Sequence, residues 1–418
     1  MILFGAGSSV PFGIPAMKPF VAQFKETIAK DVHQKSLLTH IESALENSEK
    51  LVGANLEFDL ESLMVVLQDL SSGNRPVSLP TFALMLYSLE NKYIQEHNTE
   101  TLRDVFCVEA KELLQRLQLF IFEKCIEPIK AGQKNNSYLF LDLFYGPLFN
   151  VLDANIYSNH ISWIFTTNWD LCLKQWLEHA RISFEDGTKL DGQKKGVLNP
   201  SEGWTTTSIA KVVTLHGSFD LVTCNRFPAD SIYIEIQKVS RPEIYFSGNP
   251  SEISNAFIVY PLEAVGYDQT VRSPYLDMLN HLKTQLREET HIFIVGFSFR
   301  DSVIASIFDE VIREKAEQGQ EKRMKILLVD AAPQAIIENL KHKGHINLAN
   351  NITPVEVSFP NVLDYENNRT QYIQDTQTLI SKLIQALKKS SIPCNGKQVA
   401  DFVKRYGVIL NVEEVIEV

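Results

Sequence analysis

Polar residues that could do chemistry stand directly after apolar runs at five places in this sequence. The segments are Gly5-Ala6-Gly7-Ser8, Thr166-Thr167-Asn168-Trp169-Asp170, His216-Gly217-Ser218, Gly296-Phe297-Ser298 and Asp330. An asparagine side chain donates and accepts hydrogen bonds, a histidine can accept a proton near neutral pH, and a carboxylate stabilises positive charge. Each residue alone has a simpler explanation, since Asn168 and Asp330 could cap helices and His216 could lie in a turn. Together they predict a nucleotide site, because parallel strands end at one edge of their sheet.

The first of these segments could hold a phosphate. Residues 1–4 predict a strand, and Gly5 and Gly7 would let the backbone approach an anion closely. The helix that follows would point its N-terminal N–H groups at that anion. The dinucleotide fingerprint has a third glycine that this segment lacks, so a plain tight turn explains these residues about as well.

The surrounding sequence predicts an α/β fold with a Rossmann-like, doubly wound parallel sheet, a large helical insertion and a helical C-terminal region. The first strand is expected to be central. Strands are expected at 1–4, 161–165, 212–215, 291–295 and 324–329, with weaker candidates at 232–236, 256–260 and 355–357. Residues 186–207 are expected to be a loop and residues 397–406 a short helix. The expected domains are 1–15 with 153–360 (nucleotide binding), 16–152 (helical insertion) and 361–418 (C-terminal helices).

The composition of the 418 residues limits the possible functions. The net charge of −11 argues against broad binding to nucleic acid or anionic membranes, and no apolar run reaches membrane-spanning length. The five scattered cysteines have no metal-ligand spacing, which predicts reduced thiols in a cytoplasmic protein without zinc. The sequence opens inside its first strand, so no signal peptide is expected, and whether the natural chain begins further upstream is left open.

The segment from Gly5 to Pro15, Gly-Ala-Gly-x-Ser-x-x-x-Gly-Ile-Pro, resembles the opening motif of the sirtuins. In that family the segment cradles the NAD diphosphate and leads into a mobile cofactor-binding loop. An aromatic residue and an arginine usually follow it, whereas this chain has Met17 and Lys18, and lysine lacks the guanidinium fork. The resemblance implies that NAD is bound by Gly5, Ala6, Gly7, Ser8, Ser9, Gly13, Ile14 and Pro15.

Later segments resemble further sirtuin motifs in the family's order. Thr167-Asn168-x-Asp170 resembles the segment that contacts the nicotinamide-side ribose, and His216-Gly217 resembles the segment that carries the catalytic histidine. Gly296-x-Ser298 resembles the turn that helps to hold the adenosine side, and Asp330 stands where the family binds the adenine ribose. The resemblance implies catalytic roles for Asn168, His216 and Asp170, and NAD-binding roles for Thr166, Thr167, Gly217, Gly296, Ser298 and Asp330.

Two departures from the deacetylase sirtuins indicate a subfamily. Thr167 replaces the glutamine before the asparagine, and the four-cysteine zinc module is absent from the sequence. A Thr-Thr-Asn-x-Asp segment with a helical insertion and no zinc is similar to the sirtuin-like domains of bacterial anti-phage defence systems. That family hydrolyses NAD to ADP-ribose and nicotinamide and so depletes the infected cell, a form of abortive infection.

The chemistry of NAD cleavage suits these residues. The nicotinamide–ribose bond breaks through an oxocarbenium-like state. Little acid assistance is needed, because the pyridinium ring leaves as neutral nicotinamide. Asn168 would hold ribose hydroxyls or water, His216 would act as a general base, and Asp170 would orient the group or stabilise positive charge.

Three other functions stay open. A non-catalytic NAD or ADP-ribose sensor could use the same fold. A zinc-free deacylase or ADP-ribosyl transferase would demand a peptide acceptor. A serine hydrolase could place Ser298 at a nucleophile elbow followed by Asp330 and His345, although Arg300 replaces the second elbow glycine.

An NAD hydrolase that was always active would kill its host, so we expect its activity to be gated. The gate would be a homo-oligomer or a partner such as a ring-forming ATPase or a nucleic-acid-guided protein. The helices of residues 16–152 and the C-terminal helices are the surfaces without another expected task.

Overall fold

The computed structural model describes most of the chain in a set of separate ranges. These are residues 1–72, 77–90, 102–135, 137–152, 162–190, 196–200, 204, 209–224, 235–248, 250–259, 273–319, 324–363 and 365–392. The helix expected at 397–406 and most of the candidate strand at 232–236 lie outside the described residues.

The described strands form two sheets. In chain order they are β1 (Ile2–Phe4), β2 (Ser162–Thr166), β3 (Phe184–Glu185), β4 (Thr188–Leu190), β5 (Gly196–Leu198), β6 (Ala210–Thr214), β7 (Gly217–Thr223), β8 (Ile236–Lys238), β9 (Ala256–Ile258), β10 (His291–Val295), β11 (Lys325–Asp330) and β12 (Ile352–Glu356). The larger sheet has the order β12-β11-β10-β1-β2-β6-β3, and all of its pairings are parallel. Strand β1 is central, as predicted, with Ile2 opposite both Phe293 and Ile164.

Helices cover both faces of this sheet, which confirms the doubly wound architecture. Those before β2 are Met17–Thr27, Val32–Glu46, Ser48–Val52, Leu60–Ser72, Leu79–Glu90, Leu102–Asn135 and Leu139–Leu152. Those after β2 are Cys172–His179, Pro242–Gly248, Tyr275–Glu288, Ser302–Glu317, Pro333–His342, Ile346–Asn351 and Arg369–Lys389. None of these helices is both long and apolar enough to cross a membrane.

Alternate side chains of each central strand enter opposite apolar clusters. Ile2 and Phe4 pack with the helices between residues 17 and 152 and with the helix Arg369–Lys389. Leu3 packs instead with helices between residues 275 and 351. Because each strand is buried on both sides, its residues form a continuous apolar run rather than an alternating one.

A second, antiparallel sheet has the order β4-β5-β8-β7-β9. The sheet was not predicted, although β9 lies within the weaker candidate strand at 256–260. The loop expected at 186–207 was wrong in part, because β4 and β5 lie within it. These strands are three residues long, and β5 pairs with β8 through Val197 and Gln237, which are distant in sequence. Such short strands carry no periodic pattern, so their formation depends on partners elsewhere in the chain.

Candidate active site

A cavity of about 650 Å³ lies where β1, β2, β6, β10 and β11 end. Its wall includes twelve of the predicted site residues: Ala6, Gly7, Ser9, Ile14, Pro15, Thr167, Asn168, Asp170, His216, Gly296, Ser298 and Asp330. Met17 and Lys18, which replace the usual aromatic residue and arginine, also line it. The structure therefore brings the predicted polar residues to one cavity, whose size suits a small-molecule ligand. These residues are Asn168, His216, Asp170 and Asp330.

Five predicted residues do not line the cavity, namely Gly5, Ser8, Gly13, Thr166 and Gly217. Gly13 has φ +76° and ends the 3₁₀ helix Ala6–Phe12, which follows the first glycine turn. Gly217 has φ +77° and opens β7 against a neighbouring backbone carbonyl. These two glycines shape the backbone, and their predicted contacts with NAD stay predictions.

Glycines let the first turn pack directly against the turn after β10. A Cβ added to Gly5 would lie 2.6 Å from the carbonyl oxygen of Gly296, and one added to Gly296 would lie 2.4 Å from the amide nitrogen of Ser8. The amide of Gly7 donates to the same Gly296 oxygen at 2.9 Å. Gly296 itself has φ +64°, which favours glycine. Close packing of two turns thus accounts for Gly5 without any phosphate.

A hydrogen-bond network fixes the orientation of the Asn168 amide. The Ser8 hydroxyl donates to the Gly5 carbonyl at 2.7 Å, and the Ser9 hydroxyl donates to Asp170 Oδ2 at 2.6 Å. Each hydroxyl has only one proton, so both must accept from Asn168 Nδ2, at 3.0 and 2.8 Å. Asn168 Oδ1 is left buried without a hydrogen-bond partner among the described residues. This oxygen is an acceptor available to a ligand hydroxyl or a water.

Thr166 and Asp170 extend the same hydrogen-bond network to the backbone of Asn168 and Cys172. The Asn168 backbone amide donates to Thr166 Oγ1 at 3.0 Å, and Asp170 Oδ1 accepts from the Cys172 amide at 2.9 Å. Burial raises the pKa of the Asp170 carboxyl, and the hydrogen bond from Ser9 partly opposes that change. Because both of its oxygens already accept protein hydrogen bonds, Asp170 is suited to orienting its neighbours.

His216 is paired with an aspartate that the sequence analysis did not select. Its Nε2 atom lies 2.7 Å from Asp301 Oδ2, and both side chains are buried. The other Asp301 oxygen accepts from the amides of Val303 and Ile304 and so caps the helix Ser302–Glu317. A carboxylate acceptor places the proton on Nε2, which leaves Nδ1 as the nitrogen able to accept another.

Sequence reasoning also missed Glu61 and Arg300, which line the cavity. Arg300 pairs with Glu57 at 2.9 Å and with Asp59, so it joins the helical segment to the turn after β10. Glu61 lies at the start of the helix Leu60–Ser72 and is 7% exposed. Burial raises the pKa of Glu61 to about 7, even though Arg300 opposes this change.

The adenosine-side and hydrolase predictions have different outcomes. Burial raises the pKa of Asp330, whose Oδ1 accepts from the Ala332 amide at 2.9 Å on the cavity wall. Ser298 also lines the cavity, but His345 does not, so the proposed serine triad is not assembled there. Within the described ranges, no group of three or more His, Cys, Asp or Glu side chains is arranged to hold a metal ion.

Comparison with known proteins gives one family match. Residues 162–349 match the family described as SIR2-like domain. The matched range contains Asn168, His216 and Asp330, whereas the glycine turn at residues 5–7 precedes it. No curated protein matches the chain. The match, together with the parallel sheet, supports a sirtuin-like family and an NAD-related function for this chain.

Proposed function

We propose that this protein hydrolyses NAD to ADP-ribose and nicotinamide. The observation that carries the proposal is the fixed Asn168 amide, whose free Oδ1 acceptor shares the cavity with the His216–Asp301 pair. An acceptor and a general base held in one buried site suit a ribose and an attacking water. NAD enters this account as the substrate.

In the reaction, the bond between ribose C1′ and the nicotinamide nitrogen breaks. The bonding electrons leave with nicotinamide, which becomes neutral, and a water oxygen bonds to C1′. Asn168 Oδ1 accepts a hydrogen bond from a ribose hydroxyl or from that water, and His216 Nδ1 takes the water's proton. Asp301 holds the imidazole and stabilises its positive charge. One NAD and one water thus give ADP-ribose, nicotinamide and a proton.

The proposal includes control of the activity in anti-phage defence. Uncontrolled hydrolysis would exhaust NAD in the host, so we propose gating by a homo-oligomer or by a partner such as a ring-forming ATPase or a nucleic-acid-guided protein. Phe20, Glu61 and Cys125 from the helical segment form part of the cavity wall. Contacts that shift this segment would therefore change the site. A dilute monomer that cleaves NAD at its full rate would contradict gating.

The experiment is to incubate the purified chain with NAD, without a peptide acceptor, at low and high protein concentration. Hydrolysis predicts equal amounts of nicotinamide and ADP-ribose, measured by chromatography. Binding of NAD without product would favour a sensor. Product that forms only with an acylated peptide would favour a deacylase.

A further inference from the structure

Glu61 is a carboxyl group on the cavity wall that the proposed mechanism does not use. It is 7% exposed and forms no hydrogen bond or ion pair with the described residues. Most buried carboxylates are paired or hydrogen-bonded, because an isolated charge in a dry site is costly. The carboxyl group of Glu61 therefore has no bonded counter-charge among the described residues.

The other carboxyl, imidazole, ammonium and guanidinium groups on this wall have hydrogen-bond or ion-pair partners. The pairs are Lys18–Glu57, Arg300–Glu57, Arg300–Asp59, His216–Asp301, Asp170–Ser9 and Asp330 with the amide of Ala332. Arg300 could in principle pair with Glu61, but its guanidinium bonds Glu57 and Asp59 instead. Arg300 therefore acts on Glu61 only at a distance, and a cationic ligand in the cavity would give the carboxylate the direct partner that it lacks among the described residues.

The position of Glu61 is fixed by its neighbours in the fold. Asp59 Oδ1 accepts from the Ser62 amide at 2.9 Å, and the other Asp59 oxygen accepts from Arg300 in the turn after β10. Leu60 and Leu63 on either side are buried in the core. The first turn of the helix Leu60–Ser72 is thus bonded to the turn after β10, which keeps Glu61 in the wall of the cavity.

Glu61 belongs to the His216 side of the cavity. Glu61 stands two residues after Asp59, which accepts a hydrogen bond from Arg300. The residue next to Arg300 is Asp301, which pairs with His216 at 2.7 Å. Under the proposed function, the nicotinamide end of NAD lies beside His216. That end carries the positive charge of the oxidised pyridinium ring, which ADP-ribose and the reduced dinucleotide lack.

Resting on NAD as the proposed substrate, we propose that Glu61 receives the cationic nicotinamide ring and releases its proton as the ring binds. The carboxyl O–H bond breaks, the proton passes to the solvent, and the carboxylate that remains pairs with the pyridinium. The pKa of about 7 means that about half of the Glu61 carboxyl groups carry a proton at pH 7. Glu61 would then select the oxidised dinucleotide.

The test is isothermal titration calorimetry at pH 7 in two buffers of different ionisation enthalpy. The ligand is carba-NAD, which keeps the pyridinium but resists hydrolysis, and the control is ADP-ribose, which has no nicotinamide ring. Wild type should release about half a proton on binding carba-NAD, and clearly less on binding ADP-ribose. Glu61→Gln should abolish this difference and weaken carba-NAD about tenfold, with ADP-ribose changed less than about twofold.

Two further variants keep the result interpretable. Glu26→Gln removes an exposed carboxylate from the same helical segment and should behave as wild type. Glu61→Asp keeps a carboxyl group and should retain proton release. Unchanged proton release in Glu61→Gln, or an equal loss of affinity for both ligands, would overturn the inference.

Failure of the inference and failure of the proposed function give different results. Proton release that depends on Glu61, in a protein that never yields nicotinamide from NAD, would support the inference and contradict hydrolysis. Hydrolysis of NAD without proton release that depends on Glu61 would support the proposed function and contradict the inference. A protein that binds neither ligand would contradict both.

Discussion

The substitution Glu61→Gln should change the pH dependence of folding stability without any ligand. Burial raises the pKa of Glu61 from 4.5 to about 7, so between these values the folded protein holds a proton that the unfolded chain releases. The stability that this proton contributes is complete below about pH 4.5 and is lost as the pH rises through about 7. Glutamine does not titrate, so it shows no such loss.

The size of the effect follows from the pKa change. One pH unit across the window corresponds to about 1.4 kcal/mol, so the whole change is worth about 3 kcal/mol. Between pH 5 and pH 8, the free energy of unfolding of Glu61→Gln should therefore rise by about 2–3 kcal/mol relative to wild type. Urea denaturation at pH 5, 6, 7 and 8 measures it.

The exposed carboxylate of Glu26 supplies the control for this measurement. Glu26→Gln changes the net charge equally, and its difference from wild type should stay nearly constant with pH. Parallel curves for wild type and Glu61→Gln would refute the reasoning, because they would mean that Glu61 gains its charge in the folded protein as easily as in the unfolded chain.

Three other substitutions test separate parts of the account. Asp301→Asn should keep the helix cap, since asparagine also caps helices. It should lower the rate of nicotinamide release about a hundredfold or more, because His216 would no longer be held in the correct orientation. A release rate equal to that of wild type would contradict this role. Gly296→Ala should lower the free energy of unfolding by about 2 kcal/mol or more, measured with urea, because of its φ of +64° and a 2.4 Å clash. Lys174→Met should cost about 3–5 kcal/mol in the same assay, because it strips Asp220 of a buried partner at 2.8 Å.

The main sheet could be predicted because its strands are buried on both faces. The apolar runs ending at Phe4, Val295 and Val329 identify strands by themselves, and helices begin after each of them. The antiparallel sheet could not be predicted in this way. Four of its strands, β4, β5, β8 and β9, are three residues long. The sheet depends on pairings such as Leu221 with Lys238, which local sequence does not encode.

The site was predictable where its residues follow strong strands. Asn168 and His216 were expected at one sheet edge, and both line the cavity, while their catalytic roles stay predictions. Asp301 was not selected from the sequence. It caps the helix Ser302–Glu317 through one carboxylate oxygen, and its other oxygen lies next to His216. Glu61 was hidden in a helix whose apolar residues indicated only a core, because periodicity does not show which polar position faces a cavity.

The central claim is that Asn168 and His216 carry out NAD cleavage in this cavity. The most direct measurement is nicotinamide release from NAD by wild type, Asn168→Ala and His216→Ala, under conditions in which wild type is active. Each variant should be slower by about a hundredfold or more, with its melting temperature near that of wild type. A folded Asn168→Ala or His216→Ala protein that cleaves NAD at the wild-type rate would contradict the claim.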